Sequence, residues 1–361
     1  MSLSSPATHR ARSALALSRA AALGTCAAAA LPSLAYAQFA PTPTPLYTST
    51  SASAAQLDLG SNFLQRLGRA AATGYAARDN SAGGGASTDF AAPVYRSWFE
   101  GYGTSARTGA QAGFPGDKRS TGGGVAGIAM DVAPGFNLGI AVDQSHTNID
   151  VPLALQSAKL DLTQIGVNGS YVNGPWTVAF AAVHGFASID AKRQTVSGFA
   201  LSNYRGAIDG ALGELSYYQA FGHSRIVPKV ALEYVVAHTN AFNETGGFEP
   251  VSVADSNAQR ARVMLGAETG HYWIVGQQVV DISGYGKFVD NFSQTGSPIL
   301  VSLGSSSILM QGIRESRYGA DAGAGLSWSM NKSARLYANY DGKFRDGFTS
   351  HQATLGLELK W

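Results

Sequence analysis

The stretch HQATLGLELKW, residues 351–361, decides the fold. Ala353, Leu355, Leu357, Leu359 and Trp361 are apolar, and the intervening Thr354, Gly356, Glu358 and Lys360 are small, polar or charged. A period of two marks a strand with one apolar and one wet face. In a soluble protein a final strand usually trails into a polar tail, whereas here the apolar face persists to an aromatic last residue.

The same alternation recurs upstream. KVALEYV (229–235) sets Val230, Leu232 and Tyr234 against Lys229, Ala231 and Glu233. RARVMLGAE (260–268), RYGADAGAGLSW (317–328) and ARLYANYDGKF (334–344) read the same way. Twelve such runs follow residue 92, although alternation leaves the register of 93–104, 159–171 and 175–188 open. Short turns (APG, VNGP, FGHS, VGQ, MNKS) follow the even runs. Long polar loops are expected after the odd ones, at 105–121, 146–158, 187–203, 239–257 and 291–309. That rhythm suits a membrane barrel and no sandwich or solenoid.

Bulk properties narrow the class. The 361 residues are 45% apolar, only 14% charged and carry 43 glycines, with a net charge of +2. So small a charge argues against nucleic-acid or polybasic membrane-surface binding. Beyond the first 37 residues no apolar run is long enough for a spanning helix, but barrels hide their apolar residues by alternation. His9, Arg10, Arg12 and Arg19 precede AAALGTCAAAALPSLAYA (20–37), which reads as a secretory signal over 1–37 with Ala35 and Ala37 framing cleavage before Gln38. Cys26, the sole cysteine, lies inside it, and a lipidated Cys26 is the alternative.

Residues 38–54 are Pro/Thr/Ser-rich and expected to be unstructured. Residues 55–91 are expected to hold a helix over 55–78 and a flexible link. Leu57, Leu64, Leu67 and Ala71 share one helix face, and Arg66 and Arg69 lie near another. Residues 92–361 form the barrel. Export, an even strand count and aromatics near strand ends favour a 12-stranded antiparallel transmembrane β-barrel of the outer membrane, with the helix in its lumen. The alternation then sends Lys229, Glu233, Arg260, Arg262, Glu268, Asp281, Lys287, Glu315, Arg317, Asp321, Arg335, Asp341, Lys343, Glu358 and Lys360 inward, to meet Arg66 and Arg69.

YRSWFEGYG (95–103) opening the barrel, ARLYANYDGKF as penultimate strand, the aromatic-ended last strand and the preceding helix together resemble one family. It is the C-terminal translocator barrel of autotransporters, the type V secretion proteins of Gram-negative bacteria, and the resemblance spans about 55–361. It implies a non-enzymatic, cofactor-free monomeric barrel in contact with outer-membrane lipid, periplasmic chaperones and the barrel-assembly machinery. That machinery would read Leu355, Leu357, Leu359 and Trp361. The N-terminal segment and long loops would lie at the cell surface. Only about 17 residues separate Gln38 from the helix, too few for a folded passenger, and the lone Asn62 offers no asparagine pair for self-cleavage.

Two other readings compete: a passive pore for small solutes, and a rim hydrolase built on Asp143, His146 and Asp150, with His238 and Asp255 drawn in. GYGTSA (101–106) opens no helix and carries no dinucleotide signal.

Overall fold

The computed structural model describes residues 42–72, 95–296 and 298–361. The signal segment with Ala35, Ala37 and Cys26, and the 79–87 link, lie outside them.

Twelve strands close one antiparallel barrel: β1 Tyr95–Thr108, β2 Asp117–Ala133, β3 Phe136–Val151, β4 Gln156–Asn173, β5 Trp176–Thr195, β6 Gly198–Tyr217, β7 Ser224–Thr239, β8 Ser256–Val275, β9 Gln278–Thr295, β10 Tyr318–Ser329, β11 Ala334–Arg345 and β12 Phe348–Lys360. Each pairs with the next, and β12 pairs with β1 from Arg96↔Lys360 to Thr108↔Phe348. Closure leaves the barrel without an open edge, which the hydrocarbon of a bilayer requires.

The outer wall carries the apolar faces expected. Leu355, Leu359, Leu326, Trp328, Val230, Leu232 and Leu265 are exposed on it. About 10 residues of a tilted strand cross an apolar band. β5 and β6 run for 20 residues each, so their upper halves stand beyond it.

There the faces exchange character. In lower β4, Ile165 and Val167 point outward while Gln164 and Asn168 point in. Higher up, Leu160 and Leu162 point inward and Lys159 and Asp161 outward. β3 repeats this, with Ile140 and Val142 outward below, Ile149 and Val151 inward above. The upper wall is therefore built like a soluble protein, wet outside and apolar within.

What it encloses is α1, Tyr47–Ala72, whose 26 residues give a length of about 39 Å. Leu57, Leu59, Phe63, Leu64 and Leu67 form one core with Ile149, Leu160, Leu162, Val183, Ile189, Ile208 and Val235. Gly166 makes the close approach possible, because a Cβ there would lie 2.4 Å from Leu67 Cδ1. The expected helix started at residue 55, eight residues too late. Its first two turns, YTSTSASA, are rich in weak helix formers. Burial of Thr48, Ser49, Thr50 and Ser51 in the mouth overrides that preference. Much of the segment expected to be free thus lies inside, with Pro43 and Leu46 also buried.

The loop expectations need a second correction. β3 and β4 are joined by residues 152–155 and β5 and β6 by residues 196 and 197, so two of the supposed long loops are strand. The extended connectors are 240–255 and 296–317. These two fold together as a four-stranded sheet, Phe242–Asn243, Ser252–Val253, Ile299–Leu303 and Ser306–Met310, which caps the upper rim. Val253, Ile299, Val301 and Met310 join the same core as α1. The cap is anchored by the buried pair Arg193–Glu244 at 2.6 Å and by Tyr204 stacked on Phe242 at 3.9 Å. Tyr204→Leu is expected to remove about 0.5–1.5 kcal/mol of that anchorage. Faster deuterium exchange in 242–253, with unchanged exchange in β9–β12, would be the readout.

Candidate functional site

The lumen is two-sided. Opposite the apolar wall, α1 presents Asp58, Asn62, Arg66 and Arg69, which lie one turn apart on one helix face. Asp58 accepts from Arg119 at 2.8 Å and from Arg260 at 3.1 Å, and Arg260 also pairs with Glu315. Lys343 donates to Asn62 Oδ1 at 2.5 Å. Arg262 reaches Ser61 and pairs with Glu233 at 2.8 Å, and Gln65 Nε2 donates to Glu233 at 3.3 Å. The Arg66 guanidinium lies 3.4 Å above the Tyr102 ring, with Glu100 3.9 Å away. Arg69 pairs with Asp341 at 2.6 Å, and the Tyr285 hydroxyl donates to the same carboxylate at 2.6 Å.

The helix ends are satisfied by the wall. Gln156 accepts from the Thr48 N–H and donates to the Pro45 carbonyl. At the other end, Asn168 donates to the carbonyl of Leu67, and Ser170 to that of Ala71, one of the four acceptors a helix leaves unpaired. Below the helix the lumen narrows to a cavity of about 150 Å³ walled by further pairs. These include Lys229–Glu268 at 2.7 Å, Arg225 with Asp281, and Arg335–Glu358 at 2.9 Å.

Of the expected inward charges, Glu233, Arg260, Arg262, Asp281, Asp321, Asp341, Lys343 and Glu358 are buried in the lumen, and Lys229, Glu268 and Arg335 are largely so. Glu315 reaches Arg260 from the 296–317 connector. Arg317 is the exception. It precedes β10, its side chain is 61% exposed, and it pairs with Asp290 outside. Strand alternation does not govern a residue whose backbone has not yet entered the strand.

Sequence reading missed Arg119, Arg225, Asp58 and Arg345, which pairs with Asp321 at 2.7 Å. Arg225 was within reach, standing four residues before Lys229 and eight before Glu233 on one strand face. Arg119 lay in a stretch taken as loop.

The rim constellation dissolves. Asp143 points inward, where Tyr102 and Gln164 donate to it at 2.8 and 2.7 Å. His146 and Asp150 point outward, and His146 pairs with Asp161 at 2.7 Å. His238 meets Asn257, and not Asp255, at 2.8 Å. Odd and even positions on one strand cannot share a site.

At the seam, Tyr95 N–H donates to the Trp361 carbonyl and Trp361 N–H to the Tyr95 carbonyl, at 2.9 and 3.0 Å. The two rings stack at 5.0 Å, and the indole N–H donates to Ser97 Oγ at 3.1 Å. Leu355, Leu357 and Leu359 lie on the outer face of β12, and Trp361, directly after it, is exposed at the end of that row.

The family described as Autotransporter beta-domain matches residues 97–341. The chain belongs to that family.

Among solved structures, it is similar to the translocator domain of the autotransporter NalP from Neisseria meningitidis, with a TM-score of 0.65 at 12% identity over 87% of this chain and 99% of that one. It is also similar to the β domain of the Bordetella autotransporter BrkA, with a TM-score of 0.57 at 14% identity over 74% and 100%. No curated protein matches the sequence. The autotransporter barrel fold places the protein in the outer membrane of a Gram-negative bacterium.

Proposed function

We propose that this autotransporter barrel delivers the segment preceding α1 to the cell surface and then keeps α1 as a resident plug. The observation that carries this reading is the direction of the helix. Its N-terminal end meets Gln156 and Met310 at the rim of the extended connectors and cap. Its C-terminal end meets Ser170 beside the short turn at 174–175, at the rim where β1 begins. Short turns face the periplasm in outer-membrane barrels, so the N-terminal end of α1 is turned to the outer side. A helix buried on one face in apolar packing and on the other in ion pairs supports a resident plug over a passive pore. The cap and the upper walls of β3–β6 then form the exposed surface.

The same reading assigns Leu355, Leu357, Leu359 and Trp361 to recognition by the barrel-assembly machinery, after delivery by periplasmic chaperones, with the finished barrel monomeric in outer-membrane lipid. β12 both presents that outer apolar row and supplies the last half of the seam, so recognition and closure would use one strand. Trp361→Ala is expected to reduce the folded barrel recovered from outer membranes several-fold. Its purified folded form should lose only about 0.5–1.5 kcal/mol, the worth of the ring pair. Equal recovery of variant and wild type would remove the recognition role.

An epitope inserted between Phe39 and Ala40, and a second at Gly304, test the export reading on intact cells. Antibody reaching both supports it. Antibody reaching the first only after the outer membrane is permeabilised overturns it.

A further inference from the structure

The outer wall carries a groove at the height where lipid gives way to water. Trp176 packs on Tyr217 at 4.9 Å at the lower end of β5 and β6. About ten residues cross the apolar band, which brings β5 up to Gly185 and β6 to Ile208. The outward residues over that span are mainly apolar, with Val178, Phe180 and Ala182 on β5 and Leu215 and Ala211 on β6. At its upper edge lies an open groove of about 480 Å³, lined by Asp161, Thr163, Phe186, Ser188, Arg205 and Asn240.

The groove sits at a fork in the sheet. β6 pairs with β7 only as far as Gly206↔Thr239, where β7 ends while β6 continues up to Gly198. Asn240 stands in the fork and donates its N–H to the Arg205 carbonyl at 2.9 Å. The registers Asp161↔Ser188 and Ser188↔Arg205 set three outward side chains in one row, with Thr163, Phe186 and Ala207 in the row beneath. Asp161 and Arg205 are therefore about 10 Å apart with Ser188 between them. The small side chains of Ser188 and Ala207 leave the hollow, and Phe186, 62% exposed, stands beside it on the lipid side.

Its charges are unevenly satisfied. His146 pairs with Asp161 and His184 with Asp209, each at 2.7 Å, and Asn203 donates to Asp190 at 2.6 Å. The Arg205 guanidinium makes no hydrogen bond or ion pair among the described residues. A planar cationic fork at the water edge of the lipid band suits a phosphate. Thr163, Ser188, Asn240 and the Asp161 carboxylate suit hydroxyl groups. The Phe186 ring suits the apolar root of an acyl chain.

We propose that this groove binds a phosphorylated glycolipid of the outer leaflet, with Arg205 on a phosphate and the Asp161 row on sugar hydroxyls. Its acyl chains would run down the wall past Phe186 and Phe180, so the site continues the lipid-facing surface the barrel already has. A simple phospholipid satisfies Arg205 but offers few hydroxyls to the row, and a bare phosphate leaves both the row and Phe186 unused. The site shares the barrel's orientation with the proposed function, and the Gly304 epitope tests that orientation separately from lipid binding.

Native mass spectrometry of the full folded chain in neutral detergent, with lipid added to the micelles, is the test. Bisphosphorylated lipid A is expected to remain bound as a single copy. Arg205→Glu should lower its occupancy by about 10-fold or more, the scale of one lost charge-assisted contact. Ser188→Phe, which fills the hollow and leaves Arg205 in place, should do the same. Both residues are exposed on the outer face, so both variants should keep heat-modifiable migration. Arg317→Glu, at an exposed arginine outside the groove, should bind as wild type does. Equal binding of dephosphorylated lipid A overturns the proposal, as does a wild-type barrel that retains no lipid A or an Arg205→Glu barrel that retains it fully. Equal binding of phosphatidylglycerol, or displacement of lipid A by inorganic phosphate, would reduce the groove to a phosphate site and overturn the glycolipid assignment.

Discussion

Arg262→Ala is expected to lower the stability of the folded barrel by about 3–5 kcal/mol, the cost of stranding a buried charge. Arg262 and Glu233 are each 1% exposed at their side chains, and they pair at 2.8 Å between β8 and β7. Without the guanidinium, Glu233 keeps only the Gln65 amide at 3.3 Å, and Ser61 loses its link to the wall. The loss comes from the unpaired carboxylate more than from the missing bond. The double variant Arg262→Met with Glu233→Gln should therefore regain most of it. Urea unfolding midpoints in detergent micelles measure both. Equal destabilisation in single and double variants would show that the pair is worth its full cost.

Phe63→Ala is the second large effect, about 3–5 kcal/mol, as for truncation of a fully buried aromatic. Phe63 is 1% exposed and faces Gly166, where even a methyl group would come within 3.1 Å of its ring. The wall cannot collapse onto the space, because barrel strands are held by their neighbours on both sides. The loss should fall on α1, since the β-ladder hydrogen bonds are untouched. Deuterium exchange across 56–70 should accelerate by at least 100-fold relative to the strands, and bilayer recordings should show transient opening. Acceleration spread evenly over the barrel would contradict a plug that seats independently of wall closure.

These two sites differ in how plainly they could be read. Glu233 and Arg262 were legible as inward residues from KVALEYV and RARVMLGAE alone. Alternation assigns them to the face opposite Leu232 and Val263, and a barrel that holds lipid outside must put that face in the lumen. Their pairing was not legible, since it follows from the register Arg262↔Glu233 between β8 and β7. Phe63 could be seen as a helix residue, but its partner is a glycine on β4, a strand whose register the sequence left open.

By itself the sequence determined the barrel, its twelve strands, the outward row Leu355, Leu357, Leu359 and Trp361, and the presence of a helix before the barrel. Each rests on a periodicity that survives whatever surrounds it. Only the tertiary structure decided which face is wet above the membrane. In β4 the apolar residues change sides between Leu162 and Ile165 because the solvent changes there, from lipid outside to water outside and from ion pairs inside to the helix inside. Period two is the same on either side of that boundary, so alternation reports that a strand has two faces and not what each face meets. The start of α1 at Tyr47 belongs with it, because a run of serine and threonine becomes helical when a closed mouth buries it.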